Sequence, residues 1–152
     1  MTLAARCALA LTALLALGGI GIALYLTVVH FADQPIVCSS IGDCELVNSS
    51  EYAKLGGLPV AALGAAAYAT MFALAAYALL RGEALALAAL WGVAAASFGF
   101  SMYLTYVELF VLDAICVWCV ASATVATAIF ALVSFAAWRS EERELVALEV
   151  GG

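Results

Sequence analysis

The chain has 152 residues, enough for one domain, and carries a net charge of −6. Hydrophobic residues make up 68% of it and charged residues only 11%, whereas soluble proteins have roughly half apolar and a quarter charged residues. The composition argues against a soluble domain, and the acidic balance argues against a nucleic-acid partner, which needs a basic patch.

Four long uncharged stretches lie between the clusters of charge. They span 7–32, 55–80, 84–107 and 114–138, with 26, 26, 24 and 25 residues, against about 20 needed to cross a bilayer. They predict an all-α integral membrane protein: a four-transmembrane-helix bundle over 1–138, with spans at about 8–30, 58–80, 84–107 and 115–138 and a short acidic tail over 139–152. A cleaved signal would have a shorter apolar core than the first stretch, and a soluble bundle would show polar helix faces.

The basic residues predict the orientation of these spans. With four spans, Arg6, Arg81, Arg139 and Arg143 lie on one side and only Lys54 lies on the other. The positive-inside rule makes the arginine side cytoplasmic. We therefore expect a multi-pass protein of the cell membrane with both termini in the cytoplasm and the 33–54 loop outside.

This outer loop carries the first cysteine pair, Cys38 and Cys44. Residues 48–51 offer N-capping side chains for a short surface helix through 52–55. Five residues separate the two cysteines, which suits either a reversible disulfide or a static structural one. The outer side of a membrane is the oxidising side, where disulfide chemistry belongs.

The second pair, Cys116 and Cys119, is a C-x-x-C motif at the start of the last span. Asp113 is predicted to cap this helix, whose positive end favours a thiolate. Two exchanging pairs in series can carry electrons from an external thiol toward the membrane. A four-cysteine zinc site is the competing interpretation, but the C-x5-C spacing of the loop pair does not suit it, and we assign no metal. Cys7, at the opposite end of the first span, is predicted to be a bystander.

Several motifs follow one another in an order that characterises one family. They are the Cys38/Cys44 loop pair, Ser50 six residues later, Leu63-Gly64 followed by Tyr68, Ser97 with Ser101-x-Tyr103-Leu104, and Cys116-Val117-Trp118-Cys119 opening the last span. In this order the chain resembles the vitamin K epoxide reductase family of four-helix membrane oxidoreductases, in its bacterial stand-alone form without a fused thioredoxin-like domain.

The resemblance implies roles for the cysteines and for Ser50. Cys119 is expected to lie next to a quinone held within the bundle, and Cys116 to exchange with the loop pair. Cys38 and Cys44 would receive electrons from a separate extracytoplasmic thioredoxin-like protein. Ser50 would orient the loop near the site, although a helix N-cap is an equally good interpretation.

The resemblance also implies a quinone acceptor, which we expect to be menaquinone, ubiquinone or vitamin K. Tyr68, Tyr103 and Trp118 are candidates to line its pocket. Two positions depart from the vertebrate members, because Val60 and Ala123 stand where those enzymes have an Asn and a Tyr that hydrogen-bond the quinone oxygens.

The expected activity is therefore quinone-dependent thiol oxidation in support of disulfide formation. The alternatives are vitamin K epoxide or quinone reduction proper, and a non-enzymatic metal-binding membrane protein. Glu108 and Asp113 are predicted to be solvated caps at the outer interface. Quinone reduction consumes protons, however, and this makes Glu108 a candidate proton relay.

Overall fold

The computed structural model describes residues 2–32, 35–38 and 42–151, apart from the side chains of 143, 144, 148, 150 and 151. Asp33 and Gly152, the predicted ends of the loop and the tail, lie outside the described residues. The elements in chain order are α1 (Leu3–Ala32), α2 (Cys44–Ser49), a 3-10 turn (Glu51–Ala53), β1 (Lys54–Leu55), β2 (Leu58–Pro59), α3 (Val60–Arg81), α4 (Ala84–Phe110) and α5 (Val117–Gly151).

The helices α1, α3, α4 and α5 are each long and apolar enough to cross a membrane. α1 packs against α3 and α5, and α4 packs against the same two helices, so the four form a closed bundle. This confirms the predicted all-α membrane architecture. α5 continues as one helix to Gly151, so the predicted tail region is helical within the described residues.

Small side chains fill the contacts between the helices. Alanines of all four long helices are buried in one core together with larger residues, of which Leu9, Met71, Leu90, Ile129 and Val133 are fully buried. In lipid, helices gain nothing from burying apolar surface against each other, so close approach through small residues provides the packing contacts. The alanine content of the chain thus has a direct structural use.

The loop between α1 and α3 contains the predicted short helix, but earlier in the chain than expected. The helix is α2, Cys44–Ser49, and the predicted 52–55 region is instead a 3-10 turn followed by β1, which pairs with β2 in a two-residue antiparallel hairpin. The reason is burial: Cys44 and Val47 lie one turn apart and both pack into a buried cluster. The Ser50 hydroxyl then donates to the Val47 carbonyl, 2.7 Å away, at the end of this helix.

Candidate functional site

The loop cysteines are joined in a disulfide bond, with their Cα atoms 6.0 Å apart. The two residues differ in accessibility, because Cys44 is 1% exposed whereas Cys38 is partly exposed. An incoming thiol therefore reaches Cys38 more readily than Cys44.

The loop is held against the segment that leads into the C-x-x-C motif. The Asp43 N–H donates to the Ile115 carbonyl at 3.0 Å, and the Trp118 indole N–H donates to the Val37 carbonyl at 2.9 Å. The Trp118 ring also packs against Tyr25 of α1, with 4.9 Å between the ring centroids. These contacts fix the loop disulfide over the start of α5.

Gly42 allows this close approach. A Cβ atom at this position would lie 2.7 Å from the Ile115 carbonyl oxygen and 3.2 Å from the Cys38 sulfur, closer than van der Waals contact. As a result Cys44 and Cys116 belong to one buried cluster, and Cys38 and Cys119 pack against it. The structure brings all four predicted cysteines together at one end of the bundle.

Cys116 and Cys119 carry free thiols. Cys116 is fully buried and lies just before α5. A hydrogen bond from the Cys119 thiol, aided by backbone N–H groups of Cys119 and Trp118, holds the pKa of Cys116 below its ordinary value, although burial and the Glu108 carboxyl act in the opposite direction. A lowered pKa makes Cys116 a better thiolate leaving group in disulfide exchange.

The side chain that accepts a hydrogen bond from the backbone at the start of α5 is that of Glu108, not that of Asp113 as the sequence predicts. The Cys116 N–H donates to Glu108 Oε2 at 3.1 Å, which satisfies one of the free N–H groups of the helix end. Asp113 is exposed and has a φ of 50°, in the left-handed region. The prediction that Glu108 is a solvated cap is also wrong, because this residue is only 5% exposed.

A cavity of about 450 Å³ lies inside the bundle beneath this site. Its walls come from all four long helices and from the loop, and they are mostly apolar. Cys119, Glu108, Ser50 and Tyr68 line it, and so do Val60, Ala123 and a group of α4 side chains: Val93, Ala96, Ser97, Phe100, Ser101, Leu104 and Thr105. Both the volume and the apolar walls are typical of a small-molecule site.

Two of the predicted pocket residues do not line this cavity. Tyr103 is 51% exposed and packs beside Phe100 on the outer side of α4. Trp118 instead anchors the loop, as described above. In each case the next residue along the helix, Leu104 or Cys119, lines the cavity instead. Successive residues point about 100° apart around a helix, so Tyr103 and Trp118 face away from the cavity.

Tyr68 is held in place from two sides. Its hydroxyl donates to the Ser122 carbonyl at 2.8 Å and lies 2.9 Å from the Ser122 hydroxyl, one turn beyond Cys119. On the other side, its ring lies directly on Gly19 of α1. A Cβ atom on Gly19 would come within 2.6 Å of the ring, so only glycine fits there.

Replacing Gly19 by Ala is expected to lower the free energy of unfolding by about 1–3 kcal/mol, because the added methyl group must displace the Tyr68 ring. The measurement is thermal unfolding in detergent micelles. The matched control is Gly21→Ala, since a Cβ atom at Gly21 meets nothing within 4 Å. Equal midpoints for the two variants would show that the Gly19–Tyr68 contact is not tight.

Within the described residues, no group of three or more His, Cys, Asp or Glu side chains is arranged to hold a metal ion. A four-thiolate zinc site would also need all four sulfurs free, whereas Cys38 and Cys44 are bonded to each other. The zinc interpretation therefore has no support in the site geometry.

A four-helix membrane bundle with a C-x-x-C thiol on the wall of an apolar cavity and a disulfide above it has the redox-active groups of a membrane oxidoreductase. Comparison with protein families agrees: residues 10–134 match the model of the Vitamin K epoxide reductase family. The chain belongs to this family and is an integral membrane oxidoreductase. Members of the family generally use a quinone or vitamin K as electron partner.

Proposed function

We propose that this protein oxidises the thiols of a separate extracytoplasmic thioredoxin-like protein and passes the electrons through its two cysteine pairs to a quinone. Disulfide formation in exported proteins would be the result. One observation carries the proposal: Cys116 shares a buried cluster with Cys44, while Cys119, one turn further, lines the apolar cavity. The C-x-x-C motif thus contacts the loop pair on one side and the acceptor cavity on the other.

The steps follow from the accessibility of the sulfurs. A partner thiolate attacks Cys38, the more exposed sulfur of the loop disulfide, and releases the Cys44 thiolate. The second partner thiol then resolves the mixed disulfide, which leaves the partner oxidised and both loop cysteines reduced. Cys44 attacks Cys116 of the oxidised C-x-x-C pair and releases Cys119. Cys38 attacks Cys44, restores the loop disulfide and releases Cys116.

The acceptor is a quinone in the cavity beside Cys119. Mostly apolar walls suit its ring and its isoprenoid tail. Reoxidation of Cys116 and Cys119 to a disulfide delivers two electrons to the quinone, which takes up two protons. Val60 and Ala123 offer no side-chain hydrogen bond at the cavity wall, which favours a quinone acceptor over the vertebrate pattern of vitamin K epoxide reduction.

The proposal includes the topology. Residues 1–138 would form the membrane domain and 139–152 a cytoplasmic extension of the last helix, with both termini in the cytoplasm. The positive-inside distribution of the arginines supports this orientation. The cysteine pairs would then lie at the extracytoplasmic surface, accessible to a partner protein in an oxidising compartment.

The test is anaerobic reoxidation of the fully reduced protein by menaquinone and ubiquinone analogues. Because the reduced protein holds two dithiols, we expect two equivalents of quinone to be consumed in two phases. The first phase oxidises Cys116 and Cys119 directly, and the second oxidises the loop pair through them. If neither quinone restores the disulfides, the proposed function is wrong.

A further inference from the structure

Glu108 is a buried carboxyl group with no charged partner. It is 5% exposed and lies in the last turn of α4, a membrane-spanning helix. Among the described residues the only ion pair joins Arg139 to Glu142, and no Lys, Arg or His side chain lines the cavity on which Glu108 lies. A buried ionisable group in a membrane is costly and generally marks a functional site.

This carboxyl lies at the C-x-x-C pair. Its Oε2 atom accepts the Cys116 N–H at 3.1 Å, and Cys119 follows in the first turn of α5. Glu108 and Cys119 also line the same cavity. The group is therefore within reach of both the thiol that must lose a proton and the molecule that must gain one.

We propose that Glu108 is the catalytic acid–base of the quinone-reduction step, an inference that rests on the proposed function. The Cys119 thiol gives its proton to the Glu108 carboxylate as Cys116 and Cys119 join in a disulfide, and two electrons pass to the quinone. The quinone oxygens take up two protons. One returns from Glu108, and the other comes from water, which received the proton of Cys116 when that thiol ionised.

Replacing Glu108 by Gln is the direct test, because Gln still accepts the Cys116 N–H but cannot carry a proton. We expect the first, quinone-dependent phase of reoxidation to slow by at least about tenfold, while dithiol reduction of the Cys38–Cys44 disulfide is unchanged. The pH profile of this phase should also lose one ionisation. The ionisation that disappears is that of the Glu108 carboxyl. The titratable groups that remain at the site are Cys116, Cys119 and the Tyr52 and Tyr68 phenols.

The matched control is Asp113→Asn, which removes an exposed carboxylate five residues away and keeps a residue type that tolerates the left-handed backbone. This variant should react like the wild type. A Glu108→Gln protein with a wild-type rate would reduce Glu108 to a helix cap and overturn the proposal. If the Gln variant does not fold, Glu108→Asp is used instead, because Asp keeps a carboxyl group. We expect the pH profile of its quinone-dependent phase to keep the carboxyl ionisation, and a profile without that ionisation would overturn the proposal.

An infrared measurement separates this inference from the proposed function. When Cys116 and Cys119 are oxidised by diamide instead of a quinone, the pair beside the Glu108 carboxyl no longer carries thiol protons. We therefore expect a change in a carboxyl band that is absent in Glu108→Gln. A wild-type protein that no quinone reoxidises contradicts the proposed function, whereas an infrared spectrum without this change contradicts the role of Glu108.

Discussion

Replacing Cys119 by Ser is expected to abolish quinone-dependent thiol oxidation and to trap a disulfide between Cys44 and Cys116. Cys119 is the C-x-x-C sulfur on the cavity wall, so without it no sulfur can pass electrons to the acceptor. The remaining Cys116 thiol lies in the same buried cluster as Cys44. As a thiolate it attacks Cys44 of the loop disulfide and releases Cys38. Alkylation of the freed Cys38 thiol then prevents the reverse attack and keeps the Cys44–Cys116 bond.

Quinone absorbance measures the loss of activity, and mass mapping of proteolytic fragments identifies the trapped disulfide. Cys7→Ser is the matched control, because Cys7 is an exposed free cysteine near the start of α1, and this variant should keep full activity. A trapped bond from Cys116 to Cys38 instead of Cys44 would reverse the proposed order within the loop pair. Continued quinone reduction by Cys119→Ser would refute the role of Cys119 altogether.

Replacing Gly42 by Ala is expected to uncouple the two cysteine pairs. The new methyl group would lie 2.7 Å from the Ile115 carbonyl oxygen and 3.2 Å from the Cys38 sulfur. The backbone oxygen belongs to the residue before Cys116 and cannot rotate away, so the loop must shift. A displacement of about 1 Å in a reacting group costs roughly 100-fold in rate, and we expect transfer between the pairs to slow by about this factor.

The two-phase reoxidation assay isolates this step. In Gly42→Ala the first phase should be unchanged, because the geometry of Cys116, Cys119 and the cavity is not altered, whereas the second phase should slow. Gly99→Ala serves as the control, since a Cβ atom at Gly99 meets nothing within 4 Å. If both phases keep their wild-type rates, the contact between the loop and Ile115 does not control electron transfer.

The architecture could be predicted from the sequence because lipid imposes one simple requirement. Each span needs about 20 apolar residues whose backbone groups are satisfied within a helix, and the four uncharged stretches meet this requirement. The location of the cysteine pairs could be predicted because successive spans cross the membrane in opposite directions. The loop after the first span and the start of the fourth span therefore lie at the same end of the bundle. The order of the motifs then led to the correct family.

The position of the short loop helix could not be predicted in the same way. N-capping residues favour a helix after residue 50, but the structure has it at Cys44–Ser49. Local capping is worth about 1 kcal/mol, and burial of Cys44 and Val47 against the start of α5 outweighs it. The position of this helix depends on contacts between segments far apart in sequence, and a local sequence pattern cannot predict such contacts.

The burial of Glu108 beside Cys116 could not be predicted from the sequence either. Its proximity to Cys116 across eight residues depends on the turn between α4 and α5, in which Asp113 adopts a left-handed conformation. A carboxylate near the end of a span can be solvated or buried, and only the path of this turn decides between them. The hydrogen bond from the Trp118 indole N–H to the Val37 carbonyl likewise depends on the path of the loop between α1 and α3.

The sequence by itself determined the membrane class, the four membrane-spanning helices and the family, and it predicted the two cysteine pairs, because hydropathy and motif order are properties of the chain alone. Only the tertiary structure decided which side chains line the cavity, which loop sulfur is exposed, and which carboxyl contacts the C-x-x-C pair. The physical reason is that helix rotation and loop path are set by packing between distant segments. Through such packing Tyr68 comes to rest on Gly19 and the loop on Ile115.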